Sequence, residues 1–145
     1  MTYFAAEQAR AIQKNSGKSP SAKPHTIVYI EDNTVNLDLV AKILAYRQHI
    51  KLIPASTPEQ GVELVKTHRP DLVLLDINLP GMNGFDVLKT LRNIPGLDDI
   101  PVIALTSRAM PHHIEEGRAA GFTDYLTKPL NVSQFLSSID QHLAH

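Results

Sequence analysis

The chain has 145 residues, 14 lysines and arginines against 15 acidic residues, a net charge of −1, and neither cysteine nor tryptophan. Hydrophobic residues make up 43% and charged residues 20%, the mix of one globular domain with a modest extension. This composition excludes disulfides, thiolate chemistry and Cys-based zinc sites, and it offers no overall basic field for nucleic acid. No apolar run approaches the ~18 residues of a membrane span, and the first residues show no apolar core flanked by basic and small residues, so a secretory signal is not expected. A soluble, cytoplasmic domain is the expectation.

Thr2 to Lys14 carries Phe4, Ala5, Ala9 and Ile12 at roughly helical spacing, compatible with a short helix. Asn15 to Thr26 is a Ser/Pro/Lys stretch without periodicity and reads as a linker. Residues 1–25 are thus an extension, and the domain is expected to run from 26 to 145.

From Thr26 a regular alternation begins. Thr26–Ile30 (TIVYI) is a short apolar run, the sign of a strand buried on both faces. Val35, Leu39, Ile43 and Leu44 suggest one helical face after a cap at Asn33-Thr34. Ile50–Pro54 reads as a second strand closed by Pro54. Thr57 to Thr67 opens with a Thr cap, Pro58 at the first helical position and Gln60 for an approximate capping box. Leu72–Asp76 (LVLLD) is a third strand, followed by turn chemistry at Pro80-Gly81-Met82-Asn83-Gly84. Phe85 to Asn93 is helical, with Phe85, Leu88 and Leu91 as core. Pro101–Leu105 is a fourth strand. His112 to Ala120 is a helix that Gly121 stops. Phe122–Leu126 is a short fifth strand, and Val132 to Leu143 a last helix. Five strands alternating with five helices predict an α/β fold: an open, doubly wound parallel sheet covered on both faces.

The polar residues stand where the apolar runs end. Strand one stops at Glu31-Asp32, strand three at Asp76, strand four at Thr106-Ser107 and strand five just before Lys128-Pro129. In such a sheet, sites form beyond the carboxyl ends of the strands, so these clusters should converge although tens of positions separate them. Three carboxylates together need compensation, by Lys128 and a hard divalent cation. With oxygen ligands only, Mg²⁺ is favoured and Mn²⁺ acceptable. A carboxylate able to act as nucleophile completes a constellation suited to an aspartyl-phosphate. The seven histidines are scattered without HxxxH or HExxH spacing and read as solvated.

The segments Ile27–Asn33 (IVYIEDN), Asp71–Gly84 (DLVLLDINLPGMNG), Pro101–Ser107 (PVIALTS) and Gly121–Pro129 (GFTDYLTKP) together resemble the receiver domain of two-component response regulators. The resemblance implies a flavodoxin-like sheet of strand order 2-1-3-4-5. It implies Asp76 as phosphoacceptor, and Glu31, Asp32, Asp76 and the backbone carbonyl of Asn78 as the metal set, Asp32 binding directly and Glu31 partly through water. It implies Thr106 and Lys128 as the groups that hold the phosphoryl oxygens, Tyr125 as the switch aromatic, and Pro129 in a cis peptide bond. Asn78 and Arg108 occupy positions that modulate phosphoryl lifetime in such domains. The expected donor is a histidine kinase or phosphotransfer protein. The expected output is a downstream protein meeting the fourth helix, fifth strand and fifth helix, with no direct nucleic-acid or membrane contact.

Such a domain is a phosphorylation-driven switch, not an enzyme acting on others. Ala104–Leu130 looks most like receivers of hybrid sensor histidine kinases, which would make this the cytoplasmic part of a membrane-bound sensor. A stand-alone single-domain regulator is close behind. Two rivals remain. One is a pseudo-receiver that only binds proteins. The other is a haloacid-dehalogenase-like Mg²⁺-dependent phosphatase, whose nucleophile would instead end the first strand and be followed two residues later by a second Asp.

Overall fold

A computed structural model of the chain describes residues 24–79, 81, 83–107 and 110–143. The expected N-terminal helix, most of the linker, Pro80, Met82 and Arg108 lie outside the described residues. In chain order the elements are β1 (His25–Ile30), α1 (Thr34–Leu44), β2 (Ile50–Ala55), α2 (Pro58–His68), β3 (Leu72–Asp76), α3 (Gly84–Arg92), β4 (Val102–Thr106), α4 (Pro111–Ala120), β5 (Asp124–Thr127) and α5 (Val132–Leu143). The five strands form one sheet in the order β2-β1-β3-β4-β5, every pairing parallel.

Strand parity explains the unbroken apolar runs. Successive side chains point to opposite faces, and both faces are covered. Val28, Ile30, Val73, Leu75, Val102 and Ala104 pack under α2, α3 and α4, whose Val65, Leu88 and Leu91 are buried. Ile27, Tyr29, Leu72, Leu74, Ile103 and Leu105 pack under α1 and α5, against Ile43, Leu44, Phe135 and Ile139. No polar residue can sit inside such a strand without facing a core, so the polar groups collect at the strand ends.

The local signals act mostly as the chemistry demands. Asn33 caps α1 by accepting from the Asn36 amide at 3.0 Å. Thr57 caps α2 by accepting from the Gln60 amide at 3.1 Å. The Gln60 side chain reaches back one residue further than a strict capping box, accepting from the amide of Ser56 at 2.9 Å. Asn83 caps α3, accepting from the Phe85 amide at 2.7 Å.

Several expectations shift. Pro54 does not close β2; pairing runs on to Ala55, because β2 is an edge strand and needs no amide hydrogen on its outer side. The fifth strand is Asp124–Thr127 and leaves out Phe122, which is buried beside Phe85 with ring centroids 5.6 Å apart. Val35 and Leu39 do not face the core but stand 71% and 47% exposed, while Val40, Ala41, Ile43 and Leu44 are buried. Spacing of four residues drifts about 40° per step on a 3.6-residue helix, so Val35 and Leu39 rotate off the stripe that Ile43 belongs to. Among the described residues no helix is long and apolar enough to cross a membrane.

Candidate functional site

Parity sorts the strand ends as it sorts the core. Glu31 follows Ile27 and Tyr29 toward the α1/α5 face, and Asp76 follows Leu72 and Leu74 to the same side. Thr106 follows Val102 and Ala104 to the opposite face. β1 and β3 are neighbours in the sheet, so Glu31 and Asp76 meet although the chain separates them widely.

Both carboxylates are nearly buried, Glu31 at 1% exposure and Asp76 at 5%. Lys128 comes to this pair from the end of β5. Its Nζ lies 3.0 Å from Asp76 Oδ2 and 3.9 Å from Glu31 Oε1. The other Asp76 oxygen, Oδ1, accepts from the backbone N–H of Asn78 at 2.9 Å. Glu31 is held more fully. Its Oε1 accepts from the Tyr29 hydroxyl at 3.1 Å and the Asn36 side-chain Nδ2 at 3.3 Å, and its Oε2 from the Asn33 backbone N–H at 3.2 Å. Burial raises the Glu31 pKa, and the charge and hydrogen bond of Asp76 raise it further; the Asn33 N–H and Lys128 oppose the shift. Burial, followed by the charge of Glu31, likewise raises the Tyr29 hydroxyl.

Thr106 is fully buried at the end of β4. Its Oγ1 is 3.4 Å from Asn78 Oδ1, which also accepts from the Ser107 N–H at 3.1 Å. The Asn78 side chain therefore ties the loop after β3 to the end of β4. The Lys128 N–H donates to the Thr106 carbonyl at 2.7 Å, and the Lys128–Pro129 peptide bond is cis. Tyr125 is buried, edge-on to Phe122 at 6.3 Å. It borders a cavity of about 350 Å³ that Ile77, Asn78, Phe85, His113 and Glu116 also line.

The structure thus gathers Glu31, Asp76, Asn78, Thr106 and Lys128. Asp32 stands exposed next to Glu31, outside the strand, and among the described residues no three acidic or histidine side chains form a closed metal-holding group. The donor set still fits magnesium, which takes one or two carboxylates and keeps several waters. The fit rests on two observations. Every donor is an oxygen, and one lysine faces two nearly buried carboxylates, leaving one negative charge uncompensated.

Sequence reasoning missed three partners. Tyr29 was read only as strand core and Asn36 only as helix. The signal for Tyr29 was its parity with Glu31, two residues on along β1. The side chain of Asn78 carries contacts, where its carbonyl alone had been invoked.

Residues 27–140 match the family of the response regulator receiver domain. The polar-differentiation response regulator DivK of Brucella anthropi is 34% identical over 120 residues, covering 83% of this chain and 97% of that protein. The signal receiver domain of a DNA-binding response regulator from Colwellia psychrerythraea superposes with a TM-score of 0.77 at 28% identity, over 83% of this chain and 99% of that one. The receiver domain of the sensor histidine kinase PA1611 from Pseudomonas aeruginosa superposes at 0.75 with 25% identity, over 84% of this chain and 99% of that one; its structure has a magnesium ion coordinated in the active site cleft.

Proposed function

The chain belongs to the response regulator receiver domain family, and from that premise we propose that Asp76 accepts a phosphoryl group from a phosphohistidine on a histidine kinase or phosphotransfer protein. The observation that carries this reading is the setting of Asp76: a carboxylate at the end of β3, fastened at one oxygen by the Asn78 N–H and at the other by Lys128, with Glu31 beside it.

An oxygen of Asp76 attacks phosphorus, the P–N bond of the donor breaks, and the imidazole leaves with its electron pair and takes up a proton. The product is an acyl phosphate. Mg²⁺, with Mn²⁺ as substitute, would be held by Asp76, Asp32, Glu31 through water and the Asn78 carbonyl, and it supplies charge neutralisation on the transferring group. Lys128 already touches a carboxylate oxygen of Asp76, so it turns to the new phosphoryl oxygens. Thr106 turns from Asn78 to the same group, and Tyr125 follows into the space this vacates. The change is a shift between two packings biased by one covalent charge. Its readout is a partner protein at the α4–β5–α5 face, without direct nucleic-acid contact. The domain's catalysis acts on itself.

Two placements in the cell have specific support. Likeness to DivK over nearly that protein's full length favours a stand-alone cytoplasmic regulator. Likeness to the PA1611 receiver favours the cytoplasmic part of a hybrid sensor kinase. Gene context, whether the reading frame continues into a kinase core, separates them.

Incubation with Mg²⁺ and acetyl phosphate should add one acid-stable, base-labile phosphoryl group, and Asp76→Asn should abolish it, as read by intact mass. Equal labelling of Asp76→Asn would overturn the assignment. Absence of any labelling, with acetyl phosphate and with phosphorylated kinases alike, would favour a pseudo-receiver.

A further inference from the structure

α4 carries a glycine, Gly117, in its interior, and Gly117 is the only residue of that helix that is buried. A glycine weakens a helix interior relative to alanine, and no left-handed backbone angle requires one here. What requires it is the ring of Tyr125. A Cβ built on Gly117 would stand 2.5 Å from Tyr125 Cε2 and 3.3 Å from Cγ, with Cδ2 closer still. No side chain fits at 117 while the ring stays where it is. The ring therefore rests in a socket made by a missing methyl group, edge-on to Phe122 on another side, and it borders the cavity of about 350 Å³ that reaches to Asn78.

We infer that Gly117 is a positioning residue for the switch: by lacking a side chain it sets the resting place of the Tyr125 ring under α4, and so sets how far the ring must travel when Asp76 is modified. The inference rests on the receiver reading for the second half of that statement only; the socket itself is a matter of packing. α4 is poorly placed to absorb a clash by holding firm. Its N-cap, Met110, makes no side-chain hydrogen bond, and no apolar side chain of the helix is fully buried. A methyl at 117 thus displaces ring and helix from each other, with the adjoining cavity open to the ring.

The test combines a stability cycle with a spectroscopic readout on the whole chain. In urea unfolding, Gly117→Ala should lower the midpoint when Tyr125 is present. In the Tyr125→Ala background the same methyl should raise the midpoint, because only the helix preference for alanine is left. A drop of equal size in both backgrounds would overturn the socket, and so would failure of both Gly117→Ala chains to fold. The second readout is the ring resonance of ¹³C-tyrosine-labelled protein, assigned with Tyr125→Phe, before and after Mg²⁺ with acetyl phosphate. In Gly117→Ala the Tyr125 resonance should be displaced before phosphorylation, and its change on phosphorylation should be half of the wild-type change or less. Coincident resonances with an unaltered change would overturn the inference while leaving the receiver reading intact. If the wild-type chain takes no phosphoryl group, the receiver reading fails and the urea cycle alone decides the socket.

Discussion

α4 and α5 flank the same edge of the sheet on opposite faces, and they are anchored very differently. α5 buries Phe135, Leu136, Ser138, Ile139 and Leu143. Its first turn is capped by Asn131, which accepts from the Gln134 amide at 2.9 Å. The Ser138 hydroxyl donates to Asp124 at 2.6 Å, fastening the helix to the start of β5. Arg47, three residues past α1, grips Asp140 through two 2.7 Å bonds. α4 has a bare N-cap, one buried residue, and that residue is a glycine. Ile114 is its only apolar side chain packed on the core, and it is half-buried. The difference teaches where such a molecule can move: a helix held by few buried groups opens at low cost, whereas one sealed by aromatic and aliphatic side chains does not. The face that holds the carboxylates is the sealed one. Thr106, Tyr125 and the cavity lie toward the loose one.

The largest effect that should follow is in unfolding by urea. Phe135→Ala is expected to cost about 3–5 kcal/mol, the range for removing a buried aromatic ring, whereas Ile114→Ala on α4 should cost less than about 2 kcal/mol, since a half-buried side chain loses less than the core range. Equal losses would erase the contrast. Next, native-state hydrogen exchange should find α4 amides opening at least about 1.4 kcal/mol, a tenfold, more easily than those of α5. Protection of α4 equal to that of α5 would refute a loosely held helix.

A smaller effect belongs to the strand ends between the two helices. The Glu31 carboxyl has a folded pKa above its unfolded value, chiefly through burial. The folded state then holds its proton more tightly, so stability from this group is present at low pH and is lost as pH rises from the unfolded value through the folded one. In metal-free buffer Glu31→Gln should therefore be more stable than wild type at pH 7, with the gain vanishing below pH ~4, where both states are protonated. Mg²⁺ should shrink that gain by stabilising the wild type. A gain independent of pH would assign the effect to packing instead. The smallest effect is at the surface. Arg47→Ala should cost only about 0.2–1 kcal/mol, because the pair with Asp140 is substantially exposed. A loss above about 2 kcal/mol would mean that this pair holds α5 far more strongly than an exposed ion pair does.

Much of this was legible from residue order. The apolar runs at 26–30, 72–76 and 101–105 announce doubly covered strands, because a strand with helices on both sides leaves neither face to water. Glu31, Asp76, Thr106 and Lys128 announce a site because polar groups tolerated at the end of such a run must sit at the sheet's rim. Legibility fails where a contact depends on rotation or depth. Val35 and Leu39 have the spacing of core residues, yet helix phase turns them outward. Pro54 looks like a terminator, yet an edge strand tolerates it. Asn36 reaches Glu31 only five residues away, through the turn from β1 into α1, but no propensity signals which way its side chain turns.

What the order of residues determined unaided was the alternation of elements and the chemistry available at their ends, because hydrophobic period, caps and turn residues act over a few positions. What the tertiary structure alone decided was which ends meet and how closely. The 3.0 Å approach of Lys128 to Asp76 joins residues 52 positions apart, and the fit of the Tyr125 ring against Gly117 depends on how α4 lies over β5. Their geometry comes from the sheet order and helix placement that bury the most apolar surface, a collective outcome that no local pattern encodes.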